Sequence, residues 1–211
     1  MRLVASLVCV LVMSGCHRGD GLPFYEDASL TPRWRSGISP RAGAEHHIAG
    51  FALLDQAGLP FTADSLDGRV HVANFFFATC ADVCPLTRRL LTRVAAAFAG
   101  DDSLLIVSYS VTPARDSVAA LAAYGAHHHL DNRRWKLLTG DSATIREVGA
   151  SYLVGFGRAS DYGVASLAHT EMLVLVDQQR RIRGLYNGTL VLEIDQLVAD
   201  ARTLLEPGRK P

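Results

Sequence analysis

Two long apolar runs, each followed by an amphipathic segment, constrain this fold more than any other feature of the sequence. Val70-His-Val-Ala-Asn-Phe-Phe-Phe77 and Leu104-Leu-Ile-Val-Ser-Tyr109 lack the alternation of a strand with one wet face. They suit strands buried on both faces, as in a sheet sandwiched between helices. After the first run, Leu86, Leu90, Val94 and Ala97 recur at helical spacing across Pro85–Phe98, with Arg88, Arg89 and Arg93 interleaved. After the second, Thr112-Pro113 reads as N-cap and first helical position of a helix running to about Tyr124 and closed by Gly125.

The alternation continues. Trp135–Leu138 reads as a short strand, and Asp141 or Ser142 caps a helix reaching about Tyr152. Gly155–Ala168 reads as a loop, and Thr170–Val176 with Arg181–Tyr186 as a hairpin. Ile194, Leu197, Val198, Ala201 and Leu205 share one face of a last helix. Ahead of all this, Phe51-Ala-Leu-Leu-Asp55 and Gln56-Ala-Gly58 read as a strand and turn. The expectation is an α/β domain over 46–206 with a central mixed sheet and helices on both faces. Sites in such sheets lie at the carboxyl ends of the strands. Hydrophobic residues make up 49% of the 211 and charged residues 20%, which excludes wholesale disorder. The formal net charge is zero, without the basic footprint of a nucleic-acid binder.

The N-terminus reads as an address. Arg2 precedes the mainly apolar Leu3–Met13, which is too short for a spanning helix of about 20 residues. Ser14 and Gly15 then precede Cys16, and this resembles a bacterial lipoprotein signal. The implied organisation is a signal peptide at 1–15, a lipid on Cys16, a tether over 16–45 and a tail at 207–211. Pro23, Pro32 and Pro40 break the tether, whose Phe24, Tyr25 and Trp34 are candidates to pack on the domain. Such a chain sits in the cell envelope, lipid-anchored, with its domain on the periplasmic or extracytoplasmic side. Of the four cysteines, Cys9 leaves with the signal and Cys16 carries the lipid, so Cys80 and Cys84 remain in an oxidising compartment.

These two occupy Thr79-Cys80-Ala-Asp-Val-Cys84-Pro85, directly after a buried strand. Pro85 suits the first helical position, which puts Cys84 at the N-cap, where the helix end is expected to lower its thiol pKa. A loop three residues wide closes too small a ring to staple a fold, so a chemical role is expected. The sulfurs can form a strained disulfide or share one soft metal ion. Two thiolates underfill a metal site, and His169, at the start of the strand that opens the hairpin, is the candidate third donor.

Together these residues resemble the SCO/SenC family of thioredoxin-fold, copper-binding assembly proteins. The likeness spans about residues 48–200. It is carried by Phe75-Phe-Phe-Ala-Thr-Cys80-Ala-Asp-Val-Cys84-Pro85, by Ser108-Tyr-Ser-Val-Thr-Pro-Ala-Arg-Asp116, by Leu138-Thr-Gly-Asp141 and by His169-Thr170. It implies a thioredoxin-like fold and a copper site, for Cu(I), Cu(II) or both, of Cys80, Cys84 and His169. It further implies service to the dinuclear copper centre of cytochrome c oxidase, by delivering copper or by keeping thiols reduced. The implied partners are the oxidase's copper-bearing subunit or another copper chaperone, met by a monomer. An exported thiol–disulfide oxidoreductase without an obligatory copper role is the alternative, Cys80 and Cys84 being its redox pair. Ala168 stands where the family commonly has Asp before the ligand His, and Thr112 where Asp is usual.

Three features are set aside. His127-His-His129 reads as a solvated helix end whose cationic rings suit the dipole. His46-His47, at the tether junction, is a lesser candidate for auxiliary copper capture. Arg88 and Arg89 read as an exposed helix face.

Overall fold

In the computed structural model, residues 21–34, 46–100, 102–154 and 171–206 are described. A hairpin of β1 (Ala52–Leu54) and β2 (Pro60–Thr62) precedes β3 (Val70–Phe76), α1 (Cys84–Ala97) and β4 (Leu104–Ser110). There follow α2 (Val118–His127), β5 (Trp135–Leu138) and α3 (Ser142–Ser151). The chain closes with β6 (Met172–Val176), β7 (Ile182–Asn187) and α4 (Val191–Leu205). The main sheet has the order β5-β4-β3-β6-β7, with β3 parallel to β4 and antiparallel to β6. It is the mixed sheet expected, with helices on both faces.

Every residue of β3 and β4 is buried, because both strands are central and covered twice. Strand periodicity splits β3 between two cores. Ala73 and Phe75 pack with Tyr109, Tyr152 and the β1–β2 hairpin on the face carrying α3. Val70, Val72 and Phe76 pack with Leu91 of α1, Leu121 of α2 and Leu197 of α4 on the other. At roughly 25 cal/mol per Å² of apolar surface, these layers dominate the favourable side of folding. α1 buries Leu90 and Val94 as expected and adds Thr87 and Leu91, while Leu86 is half-buried and Ala97 exposed. On α4, Leu204 takes the fully core-facing place expected for Leu205.

α2 departs from expectation. It starts at Val118, capped by Ser117 Oγ accepting from the Ala120 N–H at 3.2 Å, and runs through Gly125 to His127. Thr112 does not cap it, because its hydroxyl donates to Asp116 Oδ2 at 3.1 Å and the chain turns there instead.

Residues 21–34, within the segment expected as a tether, fold against the domain. Phe24 and Arg33 pair as an antiparallel bridge, and Tyr25 N–H donates to Ile182 O at 3.2 Å. Trp34 is left 66% exposed. The signal peptide, Cys9, Cys16, the Gly155–Ala168 loop, His169 and the tail lie outside the described residues.

Candidate metal centre

β3 delivers the chain to the carboxyl pole of the sheet, and the loop Phe77–Val83 carries it into α1. Cys80 is half-buried in that loop, its N–H donating to Phe77 O at 3.2 Å. Val83 is the N-cap residue, so Cys84 stands at the first helical position and Pro85 at the second, one place later than the sequence suggested. Pro85 is tolerated there because N–H groups of the first turn have no helical partner. Both thiols are free, and that of Cys84 is in hydrogen-bonding contact with Cys80.

The expected drop in the Cys84 pKa is not found. Burial, then the adjacent Cys80 thiol, push it up to about 12, against smaller lowering contributions from the backbone N–H groups. Burying one sulfur beside another outweighs the helix end, since a thiolate there is both desolvated and repelled by its neighbour.

Asp116 fixes the loop's near end, a role the sequence did not disclose. Its buried Oδ2 accepts from the Ala78 N–H at 3.1 Å, Ser110 Oγ at 2.6 Å and Thr112 Oγ1 at 3.1 Å. A cleft beside Cys84 is walled by Phe76, Leu91, Val111 and Tyr124, with Arg88 among its lining residues. Arg88 is half-buried, not a bare face residue, and bonds the Tyr124 hydroxyl. Its place one turn after Cys84 was the available signal. At the floor, Trp135 Nε1 donates to Ser108 Oγ at 2.9 Å and Ser108 donates to Asn74 Oδ1 at 2.6 Å.

The other wall of the pole is the amino end of β6. Ala73 faces Val174 across the antiparallel pair, which sets Met172 level with Phe75. Gly188 presses this end against α1: a Cβ there would stand 2.9 Å from both Glu171 O and Thr87 Cγ2. Glu171 therefore lies beside the first turn of α1, whose first residue is Cys84. His169 precedes Glu171 by two residues but is itself outside the described residues. Among the described residues, no three His, Cys, Asp or Glu side chains gather in a metal-holding group.

The set-aside histidines are now placed. His46 Nε2 meets Ser151 O at 2.6 Å and His47 Nδ1 meets Gln179 O at 2.8 Å, so the two rings are tied to different segments and do not form a pair. His128 stacks edge-on against Tyr124 at 4.5 Å. Its burial, then the charge of Arg88 and its neighbouring histidines, lower its pKa, so this ring favours the neutral form and not the cation expected.

The sequence matches the SCO1/SenC family profile over residues 39–206. The chain belongs to that family. An SCO2-like protein of Rickettsia conorii is 29% identical over 188 residues, covering 84% of this chain and 88% of its own. The SCO1/SenC family lipoprotein of Bacillus anthracis superposes with a TM-score of 0.68 at 25% identity, over 80% of this chain and 100% of that one. ScoI of Bradyrhizobium japonicum, solved with copper bound, gives a TM-score of 0.60 at 28% identity, over 74% of this chain and 98% of its own. As an SCO1/SenC member, the chain has the thioredoxin-like fold of these neighbours, with its thiol pair at the carboxyl end of the central strand.

Proposed function

We propose that Cys80, Cys84 and His169 hold one copper ion and that the protein serves assembly of the dinuclear copper centre of cytochrome c oxidase. The observation that carries this is the contact between two half-buried, unoxidised thiols at the sheet's carboxyl pole. Thiolates are soft donors suited to Cu(I), and imidazole suits copper in either state. Two residues span at most about 7 Å, so the chain between Glu171 and His169 is short enough to keep the imidazole near α1. Two thiolates and a neutral imidazole give a net charge of −1 with Cu(I) and zero with Cu(II). Copper is cargo here, and the protein's part is to hold the sulfurs together, shelter them and exclude their oxidation while loaded. The copper-bound Bradyrhizobium relative supports the assignment.

Without copper the same pair can reduce a partner's disulfide. One thiolate attacks a partner sulfur and breaks the partner's S–S bond; the second, as thiolate, then attacks the mixed disulfide, forms the Cys80–Cys84 bond and expels the partner's sulfur. Two electrons pass to the partner, whose sulfurs leave as thiols, and Cys80 and Cys84 end as a disulfide. Metal loading and disulfide formation then exclude each other. We place the domain outside the cytoplasm, anchored through lipid on Cys16. The SCO1/SenC family lipoprotein of Bacillus anthracis supports this.

Titrating the reduced protein with Cu(I) against a competing chelator is expected to show one equivalent bound, with weaker binding in His169→Ala. Equal affinity in that variant overturns the three-ligand site. Oxidase activity in a deletion strain separates the readings: copper delivery requires all three residues, whereas a purely thiol role survives His169→Ala and fails with Cys80→Ser or Cys84→Ser.

A further inference from the structure

Arg88 stands one helical turn after Cys84 on the same face of α1, where side chains four apart are neighbours. It is half-buried, yet among the described residues no carboxylate forms an ion pair with it. Arg93, exposed further along the same helix, has Asp195 at 3.2 Å. Glu171, beside the first turn of α1, is taken by Asn187 Nδ2 at 3.0 Å, and Asp82 is exposed in the cysteine loop. Sheltering a cation without an opposite charge is costly, so Arg88 calls for an anion that the metal-free protein does not supply.

What holds the guanidinium is a phenol. Arg88 is in hydrogen-bonding contact with the Tyr124 hydroxyl, and both side chains line the cleft that also contains Cys84. The Tyr124 ring is fixed between Phe76 at 5.5 Å and His128 at 4.5 Å. Burial, opposed by Arg88 and aided by the charges of Cys84 and Cys80, pushes its pKa up to about 12, so it accepts a bond without supplying a negative charge. One hydroxyl thus lies within the electrostatic reach of the cation and of both sulfurs. His128, the other titratable side chain against this ring, is kept towards its neutral form by burial and then by Arg88, and offers no anion. Cys84 is a neutral thiol at pH 7 for as long as it stays buried beside Cys80. Taking up Cu(I) changes that. Each sulfur gives up a proton to solvent, and two thiolates, one imidazole and Cu(I) leave a single negative charge. A divalent ion on the same donors leaves none. A cation a helical turn away favours the first complex and, to first order, is indifferent to the second.

We propose that Arg88 is the counter-charge of the loaded site: held by the Tyr124 hydroxyl beside Cys84, it offsets the negative charge of the cuprous dithiolate and makes the site prefer Cu(I) to divalent ions. This rests on the copper site of Cys80, Cys84 and His169 proposed above.

The test compares two affinities of the reduced, full-length protein. Cu(I) is titrated anaerobically against bicinchoninate. Zn(II), a divalent ion without redox chemistry that takes Cys and His donors, is titrated against a zinc chelator. Arg88→Gln removes the charge and keeps a polar side chain beside Tyr124. It is expected to weaken Cu(I) binding about tenfold, the size of effect one charge has near a protein surface, and to leave Zn(II) binding within about twofold of the parent. Arg88→Lys, which restores the charge, is expected to recover most of the Cu(I) affinity. Arg89→Gln, at the exposed neighbouring position, is expected to change neither affinity, because solvent and salt screen its field. Cu(I) affinity in Arg88→Gln equal to the parent's, or equal losses for the two metals, overturns the counter-charge and leaves the copper site standing. A parent that binds no Cu(I) overturns the copper site, and the counter-charge with it.

Discussion

The backbone N–H of Ala78 donates to the Asp116 carboxylate at 3.1 Å, tying the start of the cysteine loop to the turn after β4. Asp116 is 1% exposed, and all three of its donors come from the rim of the carboxyl pole. A charged acceptor shared in this way positions Cys80 from two residues upstream without touching it.

Asp116→Ala removes the acceptor and strands three donors, one of them a backbone N–H. The expected cost is about 3 kcal/mol in urea unfolding, since bonds to a charged group are worth roughly twice neutral ones. A loosened loop also lets the sulfurs separate, so copper affinity is expected to fall. Asp116→Asn, which keeps one carbonyl oxygen for the same donors, is expected to recover part of both losses. A merely structural role would lower stability in Asp116→Ala without moving the copper affinity of the protein that remains folded.

How far the sequence discloses this architecture follows from the range of the forces involved. β3, β4 and α1 were legible because central strands show unbroken apolar runs and α1 shows a 3.6-residue stripe, both local signals. The cysteine pair was legible because its spacing and the following proline are local as well. The start of α2 was misread because Thr112 has the right chemistry for a cap but spends its hydroxyl on Asp116, a choice made by the folded turn. The Cys84 pKa was misread because helix position is visible in a sequence and burial of a particular sulfur is not. The docking of residues 21–34 depends on Arg183, which donates to the Pro23 and Leu22 carbonyls from some 160 residues away in the chain, a contact no local pattern announces.

His71 sets the acid limit of stability. It is fully buried on β3, Nε2 lies 2.9 Å from the Tyr152 hydroxyl, and burial pushes its pKa down to about 3. The unfolded chain binds a proton here near pH 6.5 and the folded chain does not. Stability is therefore complete above pH 6.5 and falls with pH down to about 3, by about 1.4 kcal/mol per pH unit from this group. Unfolding free energies from urea titrations at pH 7.5 and pH 5 are expected to differ by about 2 kcal/mol more in the parent than in His71→Phe. Equal pH dependence in the two would show that His71 is charged inside the fold.

Gly188 couples the two walls of the site. Its Cα sits so close to Glu171 O and Thr87 Cγ2 that an added methyl would meet each at 2.9 Å, and Leu173 Cγ at 3.0 Å. One of these contacts is a backbone oxygen and cannot swing aside. Gly188→Ala is therefore expected to push the amino end of β6 away from α1, at a cost of about 1–3 kcal/mol for overpacking. If His169 is the third ligand, as proposed above, its chain enters from that end, so copper affinity is expected to fall as well, while Cys80 and Cys84 still react fully with a small disulfide reagent. Gly50→Ala, where a Cβ meets nothing within 4 Å, is the matched control and is expected to change neither property. Copper titration alongside thiol counting on the three proteins checks this: unchanged affinity in Gly188→Ala would mean that the third donor does not approach from the β6 side.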